Sequence, residues 1–173
     1  MQLKTIFYLI IFIAQSGFCQ SSNTIFEAAR NGDIEIIKRL LKENPEVIDS
    51  KSKEGFSALT LAAYRGNTEV VKYLLKKKAD VNASSSMGSP LMAAAFKGHN
   101  DIVRLLLTKE ININEVDQNG TSALIFATMF RNVEVVKLLL TKKADKAIKD
   151  NTGKTAFEYA TINGDELIIN LLK

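Results

Sequence analysis

The chain has almost none of the side chains on which most nucleophilic and metal sites depend. Its 173 residues include one cysteine, Cys19, one histidine, His99, and no tryptophan. A cysteine–histidine nucleophile needs both residue types side by side, and zinc sites need several cysteine or histidine ligands. One copy of each leaves too few ligands for a zinc site, and a cysteine–histidine nucleophile is excluded where Cys19 is removed with a leader. A single cysteine cannot form a disulfide within the chain.

Other catalytic signatures are missing as well. The glycines stand singly at predicted turns, and no glycine-rich phosphate-binding loop is present. Aspartate and glutamate recur at fixed places in a repeated pattern, which indicates capping and turn roles rather than an acid–base pair or a calcium loop. We therefore expect a protein that is not an enzyme and that has no catalytic residues, no metal and no cofactor.

No apolar run is long enough to cross a membrane. The longest, residues 6–14, is nine residues long, whereas a spanning helix needs about 20. Lys4 precedes this run, and small or polar residues follow it at positions 15–17. This order is typical of a secretory signal peptide. We expect residues 1–19 to be such a leader and the rest of the chain to be exported without a membrane span.

The leader leaves two readings of Cys19 open. Cleavage after Cys19 places small residues at the positions that signal peptidase requires and removes the cysteine. Alternatively, residues 16–19 resemble a lipobox, and Cys19 becomes the lipid-modified first residue of a bacterial lipoprotein, although Phe18 is bulky for that site. The first reading predicts a periplasmic protein, with an extracellular one as its alternative, and the second predicts a lipid-anchored protein.

The balance of charge is mild. The formal net charge is +4, which is too small to indicate nucleic-acid binding. Lysine runs at residues 76–78 and 142–143 end predicted helices, where the helix dipole and solubility account for them. We expect no nucleic-acid partner.

What the sequence does contain is one pattern that recurs five times. Its clearest copy is residues 55–66, and a weaker copy precedes it at residues 24–32. Three further copies start at Gly88, Gly120 and Gly153. The turns that close the copies lie at residues 32, 66, 98, 131 and 164, in steps of 34, 32, 33 and 33 residues. A fixed period of this length indicates stacked repeats.

The pattern resembles the ankyrin repeat. The first half of each copy is similar to the family's turn and Ala-rich helix, and residues 69–75, 101–107 and 134–140 are similar to its second helix, E-V-V-K-L-L-L. The resemblance spans residues 22–173 and implies one domain. It implies an all-α solenoid of five helix-turn-helix repeats with short β-turn fingers, at approximately residues 22–50, 51–83, 84–115, 116–147 and 148–173.

Capping residues are predicted at the start of each helix. Ser57, Ser89, Ser122 and Thr155 stand where a side-chain oxygen can accept from the first amides of the first helices. The same role is expected for the second helices from Asp33, Asn67, His99, Asn132 and Asp165.

Several positions depart from the family pattern. The glycine that usually ends the second helix is replaced by Asn44, Lys78, Glu110 and Lys143, and a left-handed backbone there costs on the order of 1 kcal/mol for residues other than glycine or asparagine. Arg131 replaces a turn glycine in the fourth repeat. The repeat that contains residues 84–87 is one residue short and its glycine is shifted to Gly88, which should distort the finger there.

In the family, partners usually meet the face formed by the first helices and the finger tips. The residues at these positions are large, apolar or basic in the middle repeats. Aromatic residues and arginine dominate the binding energy of interfaces. The predicted partner-binding residues are Phe56, Tyr64, Arg65, Phe96, Lys97, Met129 and Phe130. An alternative is that Tyr64, Phe96 and Met129 pack between adjacent repeats as an extension of the core.

The sequence and the resemblance together predict a protein-binding module in the cell envelope of a bacterium. It would be a monomer that serves as a scaffold or protective partner of another protein. An inhibitor or immunity protein against a toxin is one alternative. A structural component that self-associates through the last repeat is another.

Overall fold

The computed structural model describes residues 24–85 and 88–173. The predicted leader, residues 1–19, and the finger residues Ser86 and Met87 lie outside this part of the chain. Within it, no helix is both long and apolar enough to cross a membrane.

In this part of the chain, ten α-helices form five successive pairs. The first helices of the pairs are α1 (Ile25–Asn31), α3 (Ala58–Arg65), α5 (Pro90–Lys97), α7 (Ala123–Met129) and α9 (Ala156–Asn163). The second helices are α2 (Ile34–Glu43), α4 (Thr68–Lys76), α6 (Asn100–Leu106), α8 (Val133–Thr141) and α10 (Glu166–Leu172). A 3₁₀-helix, Pro45–Asp49, follows α2. The prediction of an all-α solenoid of five helix pairs is confirmed.

The pairs stack in chain order. Each first helix packs on the next first helix, from α1 to α9, and each second helix packs on the next second helix, from α2 to α10. The first helices approach closely because their contact faces are alanine: Ala29, Ala62, Ala63, Ala94, Ala95 and Ala127 are fully buried. The second helices supply larger apolar groups, including Leu74, Leu106 and Leu139. The core is therefore a continuous strip shared between neighbours, as stacked repeats require.

The caps of the first helices largely follow the prediction. The hydroxyls of Ser57, Ser122 and Thr155 accept from the backbone N–H groups of Thr60, Ile125 and Glu158. Ser89 makes no such bond. It precedes Pro90, which stands at the first helical position and is pre-organised for a helix start.

The predicted caps of the second helices are mostly wrong. Asp33, Asn67, His99 and Asn132 make no side-chain capping bond, and only Asp165 does, to Ile168 N. Three of these side chains instead contact carbonyl oxygens at the end of the first helix of the repeat before their own. Asn67 Nδ2 donates to Ala29 O and Arg30 O at 2.7 and 3.0 Å, and Asn132 Nδ2 donates to Ala95 O and Phe96 O at 2.8 and 3.3 Å. His99 Nε2 lies 3.2 Å from Tyr64 O, and because a carbonyl only accepts, Nε2 carries the proton.

The fifth repeat uses a different residue for the same purpose. Asn163 Nδ2 donates to Thr128 O and Met129 O at 3.3 and 3.2 Å. We call Asn67, His99, Asn132 and Asn163 the staples, because each ties one repeat to the repeat before it. They satisfy carbonyl groups that a helix end leaves without an intrahelical partner.

The turn glycines make room for these side chains. A Cβ atom on Gly98 would lie 2.5 Å from Asn132 Oδ1, and one on Gly66 would lie 2.8 Å from His99 Cε1. In the fourth repeat Arg131 stands at the glycine position with φ 57°. There a second bond runs in the opposite direction beside that of Asn163, since the Arg131 guanidinium donates forward to Asn163 O and lies 3.8 Å from the Asp165 carboxylate.

The ends of the second helices divide into two kinds. Lys78 and Lys143 have φ of 66° and 61°, so the cost of a left-handed backbone applies at these two positions. Asn44 has φ −143° and an extended backbone, and Glu110 is not among the described residues with positive φ. The cost of a left-handed backbone therefore does not apply to these two residues, because the 3₁₀-helix that begins at Pro45 and the loop after Leu107 leave these repeats by other turns.

Three fingers share one geometry. Ser52, Asp117 and Asp150 each donate their N–H to the carbonyl four residues later, in Phe56, Thr121 and Lys154. The finger of the third repeat is different and shorter. Ser85 and Gly88 each donate a backbone N–H to the other's carbonyl, with N to O distances of 3.1 and 3.0 Å. The predicted distortion of this finger is confirmed at Ser85 and Gly88, the two described residues that close it.

Candidate functional site

The first helices and the fingers enclose one elongated recess, which we call the groove. It has a volume of about 510 Å³. Its apolar lining consists of Phe56, Leu61, Tyr64, Met92, Ala93, Phe96 and Phe126. Its polar lining consists of Arg30, Thr60, Arg65, Asp117 and Asn119. The groove therefore crosses the first helices α1, α3, α5 and α7 and two of the fingers.

Aromatic rings from successive first helices form a cluster around Phe96. The Tyr64 ring stacks on it with a centroid distance of 6.0 Å and an interplanar angle of 20°. Phe126 meets it edge-on at 5.8 Å, and Phe130 lies tilted at 4.2 Å. Tyr64 and Phe96 meet because they occupy equivalent places in neighbouring repeats, whereas Phe126 and Phe130 stand three positions before and one after the equivalent Met129.

The structure brings four of the seven predicted binding residues into the groove lining: Phe56, Tyr64, Arg65 and Phe96. Lys97 does not line it, but its Nζ lies over the Tyr64 ring, 5.2 Å from the centroid, and 6.0 Å from the Phe96 centroid. Phe130 reaches the cluster through Phe96 without lining the groove. Met129 is half-buried against the core and is not part of the lining.

The two readings of the aromatic row each hold for some residues. Tyr64 and Phe130 are 41% and 46% exposed, so they offer surface to a partner. Phe96 and Met129 are half-buried, and Met129 packs on the core. Phe96 does both, because one side of its ring contacts other rings while the rest lines the groove.

Sequence reasoning missed Phe126, Leu61 and Ala93. These residues lie three positions before Met129, Tyr64 and Phe96 on their helices. Residues three or four apart share a helix face. The helical spacing therefore indicated that these three residues share the face of the predicted ones. The prediction missed them because it considered only the two residues before each turn.

The acidic groups near the groove are occupied by contacts within the chain. Asp117 is buried, and its Oδ1 accepts from Asn119 N at 2.9 Å and from Thr121 N at 2.8 Å. Glu54 Oε2 lies 3.8 Å from an Arg30 guanidinium nitrogen. Arg65 is exposed and makes no ion pair or hydrogen bond with its side chain to any residue that the structure describes.

The fifth repeat contains two side chains with shifted pKa values, Asp150 and Tyr159, which lie outside the groove lining. The Tyr159 hydroxyl donates to Asp150 Oδ2, and Thr152 and Lys154 donate to Oδ1. These bonds, the one from Tyr159 foremost, lower the pKa of Asp150 to about 2, and the same bond raises the pKa of Tyr159. The pair holds the last finger in place and has a structural role.

The described residues do not form a metal site around the groove. Across residues 24–85 and 88–173, no group of three or more histidine, cysteine, aspartate or glutamate side chains is placed to hold a metal ion. What the groove offers is aromatic surface with cations at its edge, which suits binding.

Comparison with known proteins gave one result for the whole described chain. A family model described as ankyrin repeats (3 copies) matches residues 25–117 and, in a second alignment, residues 91–173. A search of the curated proteins gave no match. The two aligned segments together cover all five helix pairs.

Proposed function

Because this chain belongs to the ankyrin-repeat family, whose members are generally protein–protein interaction modules, we propose that it binds a protein partner through the groove. The observation that carries the proposal is the aromatic cluster of Tyr64, Phe96, Phe126 and Phe130, half-buried or exposed on one face. Exposed aromatic groups beside arginine are the usual anchors of interfaces. Contacts within the chain leave these surfaces partly uncovered.

We further propose that the protein works in the cell envelope, as a scaffold or protective partner of another protein and without catalysis. The leader pattern in residues 1–19 supports export. An inhibitor of an incoming toxin is the alternative within the same class, and it differs by a tight one-to-one complex with a protein that the host cell does not make.

A capture experiment tests the binding function. The full-length chain, expressed with a C-terminal tag, is used to recover partners from envelope extract, and the Tyr64→Ala/Phe130→Ala variant is compared with it. Both residues are more than 40% exposed, so this variant is expected to keep its fold, which thermal unfolding verifies. A Tyr64→Ala/Phe96→Ala/Phe130→Ala variant removes the whole row.

The matched control is Tyr73→Ala/Phe157→Ala, which removes two aromatic rings outside the groove lining. We expect a partner that binds the wild type and the control and that is lost from both groove variants. A partner retained by folded groove variants would contradict the proposal.

Export has its own test. Intact mass of the chain recovered from the periplasmic fraction is expected to match cleavage after Cys19. A mass that retains Cys19 with added acyl chains would establish the lipid-anchored alternative. An unprocessed chain confined to the cytoplasm would show that the export proposal is wrong.

Self-association is a second candidate, which one observation favours. Leu167 and Ile162 are 68% and 66% exposed in the last repeat, and Leu167 stands where Glu69, Asp101 and Glu134 stand in the preceding repeats. Light scattering over a range of concentrations tests it. Oligomers that disappear in Ile162→Ser/Leu167→Ser would support it, and a monomer at all concentrations would exclude it.

A further inference from the structure

The charged side chains at the groove that make neither an ion pair nor a hydrogen bond within the described chain are positive. Arg65 lines the groove, is exposed and has no partner among the described residues. Lys97 is exposed and rests over the Tyr64 and Phe96 rings. A cation over an aromatic face keeps its N–H donors available on the side away from the ring. Two cations are thus presented at the edge of an aromatic surface.

Among the described residues, the carboxylates near the groove already have partners. Asp117, the acidic residue of the lining, is buried and accepts backbone N–H groups of its own finger. Glu54 lies opposite Arg30. Because both carboxylates already have partners, the positive charge of Arg65 and Lys97 remains for a ligand.

The size of the groove limits what can enter it. At about 510 Å³ it falls within the range of about 300–1,000 Å³ that is usual for sites that enclose a small ligand or a few side chains. Its lining residues come from four successive first helices, so it runs along a row of helices. This shape suits a short stretch of an extended chain better than the flat surface of a folded domain.

We propose that the groove selects an acidic peptide segment of its partner, one that places a large apolar side chain on the ring cluster and carboxylates against Arg65 and Lys97. The inference rests on the proposed function and adds the chemistry of the partner to it. Contacts with the aromatic rings bury the apolar side chain of the peptide. The two cations favour acidic over basic peptides, because charge complementarity at an interface governs specificity and association rate.

Peptide selection tests this directly. A phage library of random 12-residue peptides is selected against the immobilised full-length chain, and the enriched sequences are compared with the unselected library. We expect enrichment of aspartate and glutamate next to phenylalanine, tyrosine or leucine. Repeating the selection on Arg65→Glu/Lys97→Glu should shift the enriched peptides towards lysine and arginine.

Binding of one selected peptide then separates charge from fold. Its Kd is expected to rise at least about tenfold in Arg65→Glu/Lys97→Glu, because two attractive pairs become repulsive. The matched control, Lys109→Glu/Lys137→Glu, changes the net charge equally at two exposed lysines outside the groove lining and should change Kd less than twofold. The Kd of the wild type should also rise between about 0.1 and 1 M salt, where the screening length falls from about 10 to 3 Å.

The outcomes distinguish this inference from the proposed function. Enriched peptides that lose binding in Tyr64→Ala/Phe130→Ala but carry no excess of acidic residues would overturn the acidic specificity and leave the groove as the binding site. Acidic peptides that bind both groove variants as well as the wild type would overturn the groove itself. Equal weakening by the groove and control variants would show that only net charge matters and would also overturn the inference.

Discussion

At the scale of single residues, the side chains that start the second helices differ in whether they can donate a hydrogen bond. Asparagine and histidine stand at this place in repeats two to four, where carbonyl groups of a preceding repeat lie within reach. Aspartate, which accepts only, stands there in the first repeat and in the fifth. In the fifth repeat Asn163 supplies the donor instead, so the choice of residue at this place follows the need for a donor there.

Asn132→Asp separates the two roles that this position could have. Aspartate caps a helix as well as asparagine does, but its ionised carboxylate cannot donate to Ala95 O and Phe96 O. We expect Asn132→Asp to lower the free energy of unfolding by about 1–3 kcal/mol, the usual cost of leaving a polar group without a partner. Phe96 O is the group that loses its partner, since Ala95 O keeps the Gly98 N–H. Urea unfolding at pH 7 measures the change.

Asn170→Asp is the control, because Asn170 is exposed and its side chain accepts only from Lys173 Nζ. It should change stability little. Equal stability of Asn132→Asp and the wild type would mean that capping, and not the bond to the preceding repeat, is what the residue contributes.

The left-handed lysines give a second prediction at this scale. Lys143 has φ 61°, where a side chain other than glycine is strained. We expect Lys143→Gly to raise the free energy of unfolding by about 1 kcal/mol and the melting temperature with it. Thermal and urea unfolding measure the change.

The equivalent Glu110 provides the matched control, since it is not left-handed. Glu110→Gly should leave stability unchanged or lower it, because only the loss of chain entropy acts there. If both substitutions have the same effect, backbone strain at Lys143 is not the cause.

At the scale of elements, the fingers show how one polar residue organises a turn. Asp117 and Asp150 each accept N–H groups two and four residues later, and Ser52 accepts only from Phe56 N, at 3.2 Å. The last finger is also tied to α9 through the Tyr159 hydroxyl. These bonds link a turn to the helix that follows it, so the finger and α9 are held as one unit.

The Asp150–Tyr159 bond makes stability depend on pH. Because the folded pKa of Asp150 is about 2, below its ordinary 3.8, its contribution is complete above about pH 4 and is lost as the pH falls towards 2. The raised pKa of Tyr159 adds a contribution that is complete below the ordinary pKa of 10.0 and is lost at higher pH.

We expect Tyr159→Phe to reduce stability by about 1–2 kcal/mol at pH 7. Urea unfolding at several pH values between 2 and 7 measures the difference between this variant and the wild type, and it should shrink below pH 4. A difference that stays constant over that range would show that the hydroxyl does not act through the ionised carboxylate. Tyr73→Phe, which leaves the finger untouched, is the control.

At the scale of the whole molecule, the stacked arrangement predicts a gradient of local stability. In α3, six of eight residues are buried, from Ala58 to Ala63, whereas in α9 only Ala156 and Ala160 are buried. Terminal repeats have one neighbour and the central repeats have two. Hydrogen exchange should therefore be slowest in α3, α5 and α7 and faster in α1 and α9. Equal protection from end to end would mean that the chain opens as a single unit.

The sequence predicted the architecture well for a physical reason. The same pattern occurs five times at a constant period and predicts the same helix pair each time. Where one copy is degenerate, the other four still indicate the structure of that repeat. The groove was predicted in part, because Tyr64 and Phe96 hold equivalent places in their repeats. The staples were missed because a cap and a bond to the preceding repeat use the same residue type at the same place, and only the direction of the Asn67 and Asn132 side chains separates them.

The staples also bear on how a chain of this kind changes length over generations. Each of their donors lies 34–38 positions after its acceptors, which is about one period. A duplicated stretch of one period therefore brings along a donor for the copy before it and acceptors for the copy after it. New repeats can be inserted, or old ones deleted, without any compensating substitution elsewhere, and the groove can lengthen or shorten by one helix at a time.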